Sequence, residues 1–213
     1  MDGFTELRRV MVDCQLRTYE VTDRTLLAAA DRVPREAFVP AELSHLAYLD
    51  QPVPLPGTGR ALMAPMVIAR MIQVLDLQPG EKVLEYGGGS GFGAALMAEM
   101  GTQATLWEPD EAAFALAQGA LKQAGTAGVT LSASRPADSD FDAVLVSGAC
   151  ETAPESLFGL VKNGGRLIAI EGIGRSARVK LYQKAGESMS ARPVFDAAAP
   201  ILEEFRRKPG FVF

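Results

Sequence analysis

Hydrophobic positions in the first third of the chain recur at helical spacing. Residues 4–20 place Leu7, Val10, Met11, Cys14 and Leu16 on or near one face of a helix. Thr22 or Asp23 can cap a second helix running to about Asp31, which Pro34 ends. Pro52, Pro54, Pro56, Gly57 and Gly59 crowd residues 47–60 and predict an irregular, structured loop rather than a strand. Pro65 suits the first turn of a helix ending near Leu75. From Lys82 onward, short apolar runs alternate with helical patterns. The runs predict strands at 82–86, 102–107, 129–132, 141–146, 166–170 and 177–183. Between them lie helices at 94–100 and from an Asp110 cap to about Ala124. A further helix, opened by the capping-box spacing of Thr152-Ala153-Pro154-Glu155, ends before Asn163-Gly164-Gly165. Such alternation predicts an α/β fold with a doubly wound, mainly parallel sheet covered on both faces. Residues 76–213 form that unit, and residues 1–75 are an N-terminal helical and loop extension.

Composition narrows the function classes. With 213 residues, 48% hydrophobic and 22% charged, the chain is of ordinary globular type and long enough for a sizeable core. A net charge of −5 argues against a nucleic-acid partner, which usually meets a basic face. Cys14 and Cys150 lie too far apart in sequence to suggest a disulfide framework or zinc pattern, and the single histidine, His45, precludes a His-rich metal site. The longest uncharged apolar run, Ala61–Ala69, is nine residues interrupted by Pro65, far short of the roughly 20 that a membrane span needs. The start, Met1-Asp2-Gly3-Phe4-Thr5-Glu6, lacks the features of a signal peptide. The expectation is a soluble, cytoplasmic protein with reduced thiols.

The chemistry concentrates at Glu85-Tyr86-Gly87-Gly88-Gly89-Ser90-Gly91-Phe92-Gly93, between a strand and a helix. Glycines there let backbone approach a ligand at the carboxyl edge of the sheet, and the helix start offers unpaired N–H donors. Glu108 ends the next strand, nineteen residues beyond Gly89, where an acid can accept hydrogen bonds from ribose hydroxyls. Gly89-Ser90-Gly91-Phe92-Gly93-Ala94 loosely fits a dinucleotide loop. Glu85 followed by Gly87-Gly88-Gly89-Ser90-Gly91 fits S-adenosylmethionine better: a carboxylate repels pyrophosphate but attracts an amino group and a sulfonium. A glycine-rich turn without a ligand is the third reading.

Beyond the glycine loop stand Met11-Val12-Asp13-Cys14-Gln15-Leu16, Val33-Pro34-Arg35-Glu36-Ala37-Phe38-Val39-Pro40, Ala47-Tyr48-Leu49-Asp50 and the run Pro65 to Met71. In these motifs the sequence resembles the protein-L-isoaspartate O-methyltransferases. Val83 to Phe92, Phe141-Asp142-Ala143-Val144 and Gly164-Gly165-Arg166-Leu167 follow in the family's order, so the likeness covers roughly residues 8–183. It implies a Rossmann-like class I methyltransferase. Such an enzyme passes a methyl group from S-adenosylmethionine to the α-carboxylate of isoaspartyl residues in damaged proteins. It also implies cofactor contacts at Glu85, Tyr86, Gly87, Gly88, Gly89, Ser90, Gly91, Glu108 and Pro109, substrate contacts at Arg60, Ala61 and Leu62, and no metal.

The sequence departs from the family in three places. The family serine expected to act in catalysis or substrate positioning is replaced by Met63, within Leu62-Met63-Ala64-Pro65. A Gly-Asp-Gly whose acid serves the adenine is replaced by Leu131-Ser132-Ala133-Ser134-Arg135, leaving Asp138 or Asp140 as substitutes. Residues 195–202 only loosely resemble the substrate-binding tail. A relative that has kept the scaffold for binding, or a methyltransferase with another acceptor, is the alternative. Glu203 to Lys208 reads as a solvated charged face, with an anionic substrate meeting Arg206, Arg207 or Lys208 as the functional reading. His45 reads as a surface histidine, Trp107 as core packing, and both cysteines as packed thiols.

Overall fold

The computed structural model describes residues 3–137 and 140–207. Helix α1 (Gly3–Val10) runs into a π-helical stretch at Met11–Leu16 and a 3-10 turn at Arg17–Tyr19. The wide turn shifts the phase of the buried face. Met11, Val12 and Leu16 are buried, whereas Leu7, Val10 and Cys14 are exposed, so the 3.6-residue pattern misplaced those three. Asp23 caps α2 (Arg24–Arg32), its Oδ1 accepting from the Thr25 and Leu26 amides.

The expected loop at 47–60 contains strand β1 (Val53–Leu55), which pairs antiparallel with β2 (Arg60–Leu62). Val53 and Leu55 are buried while Pro54 faces solvent. An exposed position in a short edge strand is where proline does least harm. Pro65 opens α3 (Pro65–Leu75) at its first turn. Then follow β3 (Lys82–Tyr86), α4 (Phe92–Glu99), β4 (Gln103–Trp107), α5 (Glu111–Gln123), β5 (Val129–Ser132) and β6 (Phe141–Cys150). The helix expected after Thr152 is a single turn, α6 (Glu155–Phe158), whose cap position is Pro154 and carries no side-chain cap. The chain enters β7 (Val161–Glu171) earlier than expected, then forms β8 (Arg178–Ala185) and β9 (Ser188–Asp196). No sequence signal had marked β9.

The seven-stranded sheet has the order β5-β4-β3-β6-β7-β8-β9. β5 to β7 are parallel, and β8 and β9 are antiparallel. The strand order reverses between β3 and β6, placing a crevice at the carboxyl end of β3. One hydrophobic cluster joins α3, α4 and α5 to the N-terminal helices. The other face of the sheet, including Leu84, Tyr86, Val144 and Val146, is packed by Leu157 and Leu160 around α6 and by Leu202 and Phe205 from the C-terminal tail.

Arg35 ties the N-terminal region to this core. Fully buried, it donates from Nε to the Ala47 carbonyl at 2.5 Å and from Nη2 to the Met63 carbonyl at 2.6 Å. Its guanidinium lies 4.8 Å from the centre of the Phe92 ring. Burial pulls its pKa down to about 9, against the opposing fields of Tyr48 and Asp50. Among the described residues, no helix is long and apolar enough to cross a membrane.

Candidate functional site

The glycine loop sits where the sequence placed it, directly after β3. Gly87, Gly89 and Gly91 have φ of 67°, 59° and 84°. These left-handed conformations favour glycine and explain the residue type at the turn. Gly91 precedes α4 and accepts from the Ala95 amide. The Ser90 hydroxyl, inside this loop, is buried and has no hydrogen-bond partner among the described residues.

Glu85 is placed otherwise than expected. Its side chain turns toward α3 and α4 beneath the loop and reaches no surface. Oε2 accepts from the Ala94 amide at 2.6 Å, and Oε1 from the Ser147 hydroxyl at 2.5 Å. A Cβ built on Gly88 would come within 2.4 Å of the Glu85 carboxyl carbon. In this conformation Glu85 fastens the loop to the first turn of α4 and to β6. Its carboxylate thereby organises the backbone of the glycine loop.

Burial raises the Glu85 pKa to about 7, with Glu108 adding to the rise and the Ser147 and Ala94 hydrogen bonds opposing it. In the unfolded chain the group titrates near 4.3. Between those values the folded protein holds a proton that the unfolded chain releases. The stabilisation is therefore complete below the unfolded value and is lost as pH rises through about 7. Urea unfolding of wild type and Glu85→Gln at pH 5 and pH 8 reads this term. Wild type should lose about 2.5 kcal/mol relative to the variant over that interval. Equal pH dependence would show that Glu85 is not held in this way.

Glu108, just beyond β4, is also fully buried. Its Oε1 accepts from the Asp110 amide at 3.0 Å and from Arg60 Nε at 2.9 Å, and its Oε2 from the Gly89 amide at 2.9 Å. Arg60 turns from β2 to make this pair and is itself almost fully buried. It also forms two hydrogen bonds to Glu204, Nη1 to Oε2 at 3.1 Å and Nη2 to Oε1 at 2.6 Å. The Tyr86 hydroxyl donates to Glu204 at 2.9 Å. Burial would lower the Arg60 pKa, but Glu204 and Glu108 outweigh it and raise it. The same guanidinium overcomes burial at Glu204 and lowers its pKa. An open cleft of about 460 Å³ lies beside this cluster, lined by Gly59, Arg60, Tyr86, Pro109, Glu203 and Glu204.

Of the residues expected at the site, Tyr86, Gly87, Gly89, Glu108, Pro109 and Arg60 are brought together. Arg60 stands against Glu108 rather than apart with Ala61 and Leu62. Ala61 is half-buried in the hairpin, and Leu62 and Met63 are packed in the core. Glu204 was missed, because a charged run near the chain end reads as solvated surface. Arg206 does fit that reading, half exposed and paired with Glu203 and Glu151. Asp140 binds Lys82 at the amino end of β3, the end opposite the glycine loop, and so cannot serve the adenine side. Asp138 and Lys208 lie outside the described residues. Trp107 is half-buried edge-on to Tyr86 at 4.8 Å, and His45 is exposed. Cys150 is a packed thiol that burial pushes up to about 12.

A sequence model of the family described as protein-L-isoaspartate(D-aspartate) O-methyltransferase matches residues 8–197. A relative from Methylorubrum populi named protein-L-isoaspartate O-methyltransferase is 39% identical over 191 residues, covering 87% of this chain and 89% of its own. A relative of the same name from Methylorubrum extorquens is 41% identical, over 76% of this chain and 73% of its own. Among solved structures, one titled protein-L-isoaspartate O-methyltransferase superposes with a TM-score of 0.78 at 22% identity, over 92% of this chain and 65% of that one. A Plasmodium falciparum protein of the same putative kind, solved in complex with S-adenosyl-L-homocysteine, gives 0.74 at 19% identity, over 96% and 100%. At those identities the structures speak for the fold, while the sequence matches decide the lineage: the chain belongs to the protein-L-isoaspartate(D-aspartate) O-methyltransferase family.

Proposed function

We propose that this protein is an S-adenosylmethionine-dependent methyltransferase that esterifies the α-carboxylate of isoaspartyl residues in damaged proteins or peptides, working in the cytoplasm. Family membership across residues 8–197 is the observation that carries this reading. The site fits the cofactor in its fixed parts. Gly87, Gly89 and Gly91 form the turn, the buried Ser90 hydroxyl lacks a partner, and Glu108 stands at the end of the neighbouring strand. Ribose hydroxyls would bind Glu108, and the loop glycines would lie against the rest of the cofactor. When bound, S-adenosylmethionine supplies an electrophilic methyl group.

The chain's own task is then alignment. An α-carboxylate is ionised at neutral pH, so it attacks without a general base. That chemistry suits a protein whose one histidine is exposed on the 41–46 turn. What remains is to hold the acceptor oxygen in line with the methyl group and to keep water out.

The burial of Met63 and the pairing of Glu108 with Arg60 favour a second reading, in which the scaffold binds without turnover or methylates another acceptor. One assay separates them. Labelled S-adenosylmethionine is offered with an isoaspartyl peptide and with its aspartyl twin. Label on the isoaspartyl peptide alone is the expected result. Cofactor binding without transfer to either peptide would favour the second reading.

A further inference from the structure

Glycines in a ligand loop leave room for a guest against the backbone. Here that room is filled by the chain itself. A Cβ at Gly87 would lie 3.1 Å from Leu202 Cδ1, and one at Gly148 2.6 Å from Leu202 Cγ. At Gly89 it would meet Leu55 Cδ1 at 2.7 Å and Arg60 Cβ at 3.1 Å. Both oxygens of Glu108, the acid expected to receive a ribose, are taken by this chain's own donors.

The covering segment is the C-terminal tail, residues 200–206. The Ala149 amide donates to the Pro200 carbonyl, the Leu202 amide to Ala149 and the Glu151 amide to Phe205, at 2.9–3.1 Å. Phe205 packs edge-on to Tyr86 at 5.6 Å. Glu204 closes the array by gripping Arg60, with its own side chain still 31% exposed. An isolated bridge, Ala149 to Ile201, accompanies these bonds, and Leu202 and Phe205 are buried against the sheet. The tail's charged tie to the neighbouring hairpin is the pair Glu204–Arg60.

We propose that residues 200–206 are a strap that competes with S-adenosylmethionine for this cleft, latched by Arg60 and Glu204, and that cofactor binding releases it. The proposal rests on the cofactor reading above. Of the roughly four acceptor sites on the Glu108 carboxylate, three are taken by the guanidinium and two amides, so a pair of ribose hydroxyls needs one of these freed. Arg60 must first leave Glu108. Glu204 is the partner it can follow, because that side chain already reaches solvent. The strap therefore opposes the cofactor directly over Gly87, and at Glu108 only through the Arg60 side chain that Glu204 grips. A lid that closes upon its ligand would show the opposite linkage.

Two measurements on the full chain test this with S-adenosylhomocysteine as the probe. Amide hydrogen exchange should become faster in residues 200–206 and slower in Gly87–Gly91 when the probe is added. Calorimetry should find that Glu204→Gln binds the probe about tenfold more tightly than wild type, a 1.4 kcal/mol gain, because a charged latch becomes a neutral one. If the probe binds both proteins equally and slows exchange in 200–206 or leaves it unchanged, the strap is not a competitor, while the cofactor reading stands. If the probe at millimolar concentration binds neither protein, the cofactor reading falls and the strap with it.

Discussion

Gly93→Ala is expected to destabilise the protein by about 3 kcal/mol or more, which for a chain of this length lowers Tm by roughly 6–12 °C. At an exposed helical position the same change gains up to about 1 kcal/mol through helix propensity. The sign reverses here because a Cβ on Gly93 would sit 2.3 Å from Glu85 Oε1 and 3.1 Å from Ile68 Cδ1. The carboxylate has nowhere to retreat. It is fully buried and fixed by the Ala94 amide and the Ser147 hydroxyl. Pushing it aside breaks its hydrogen bonds inside the core, and leaving it in place forces the first turn of α4 outward. A double-mutant cycle identifies the cause. Glu85→Ala removes the obstructing group, so Gly93→Ala should cost far less in that background than in wild type. A Gly93→Ala protein as stable as wild type would mean that Glu85 does not lie under the loop.

The turn after β3 was legible because its glycines have a local backbone cause, and the strand at 82–86 and the Asp110 cap have local causes too. The direction of Glu85 was not legible. A carboxylate beside a glycine motif suggests attraction to a cationic ligand, whereas its partners, Ala94 and Ser147, are chosen by tertiary packing. Glu204 is 144 residues from Arg60, and nothing in the run Glu203 to Lys208 marks one glutamate as buried against a guanidinium. β9 was missed because it is an edge strand with mostly exposed side chains and a proline, so it lacks the alternation that betrays a half-buried strand. The β1–β2 hairpin was hidden by the prolines and glycines that surround it. The face of α1 failed for a different reason: a π-helical turn changes the period on which the pattern depends.

Met63→Ser carries the largest expected effect on rate. Family resemblance places a serine at this position, where a hydroxyl would donate to the acceptor carboxylate. A hydrogen bond to a charged partner contributes about 1.5–3 kcal/mol. Expressed in the transition state, that is roughly tenfold to more than a hundredfold in rate. Methyl transfer to an isoaspartyl peptide should therefore rise by about that factor in Met63→Ser, measured as kcat at saturating cofactor so that strap release does not limit the comparison. Cofactor affinity should hardly change, since the residue lies between β2 and α3 and not on the glycine loop. The substitution also has a structural cost. Met63 is buried within the cluster that joins the N-terminal helices to α3, and its carbonyl holds Arg35 at 2.6 Å. Trimming it to serine removes apolar volume and should cost about 2–4 kcal/mol. The backbone bond to Arg35 survives, so the protein should fold with a lower Tm. A faster and less stable enzyme is thus the expected pair of outcomes. Loss of stability with no gain in transfer would mean that a hydroxyl at position 63 does not reach the acceptor, and that methionine is there for the core alone.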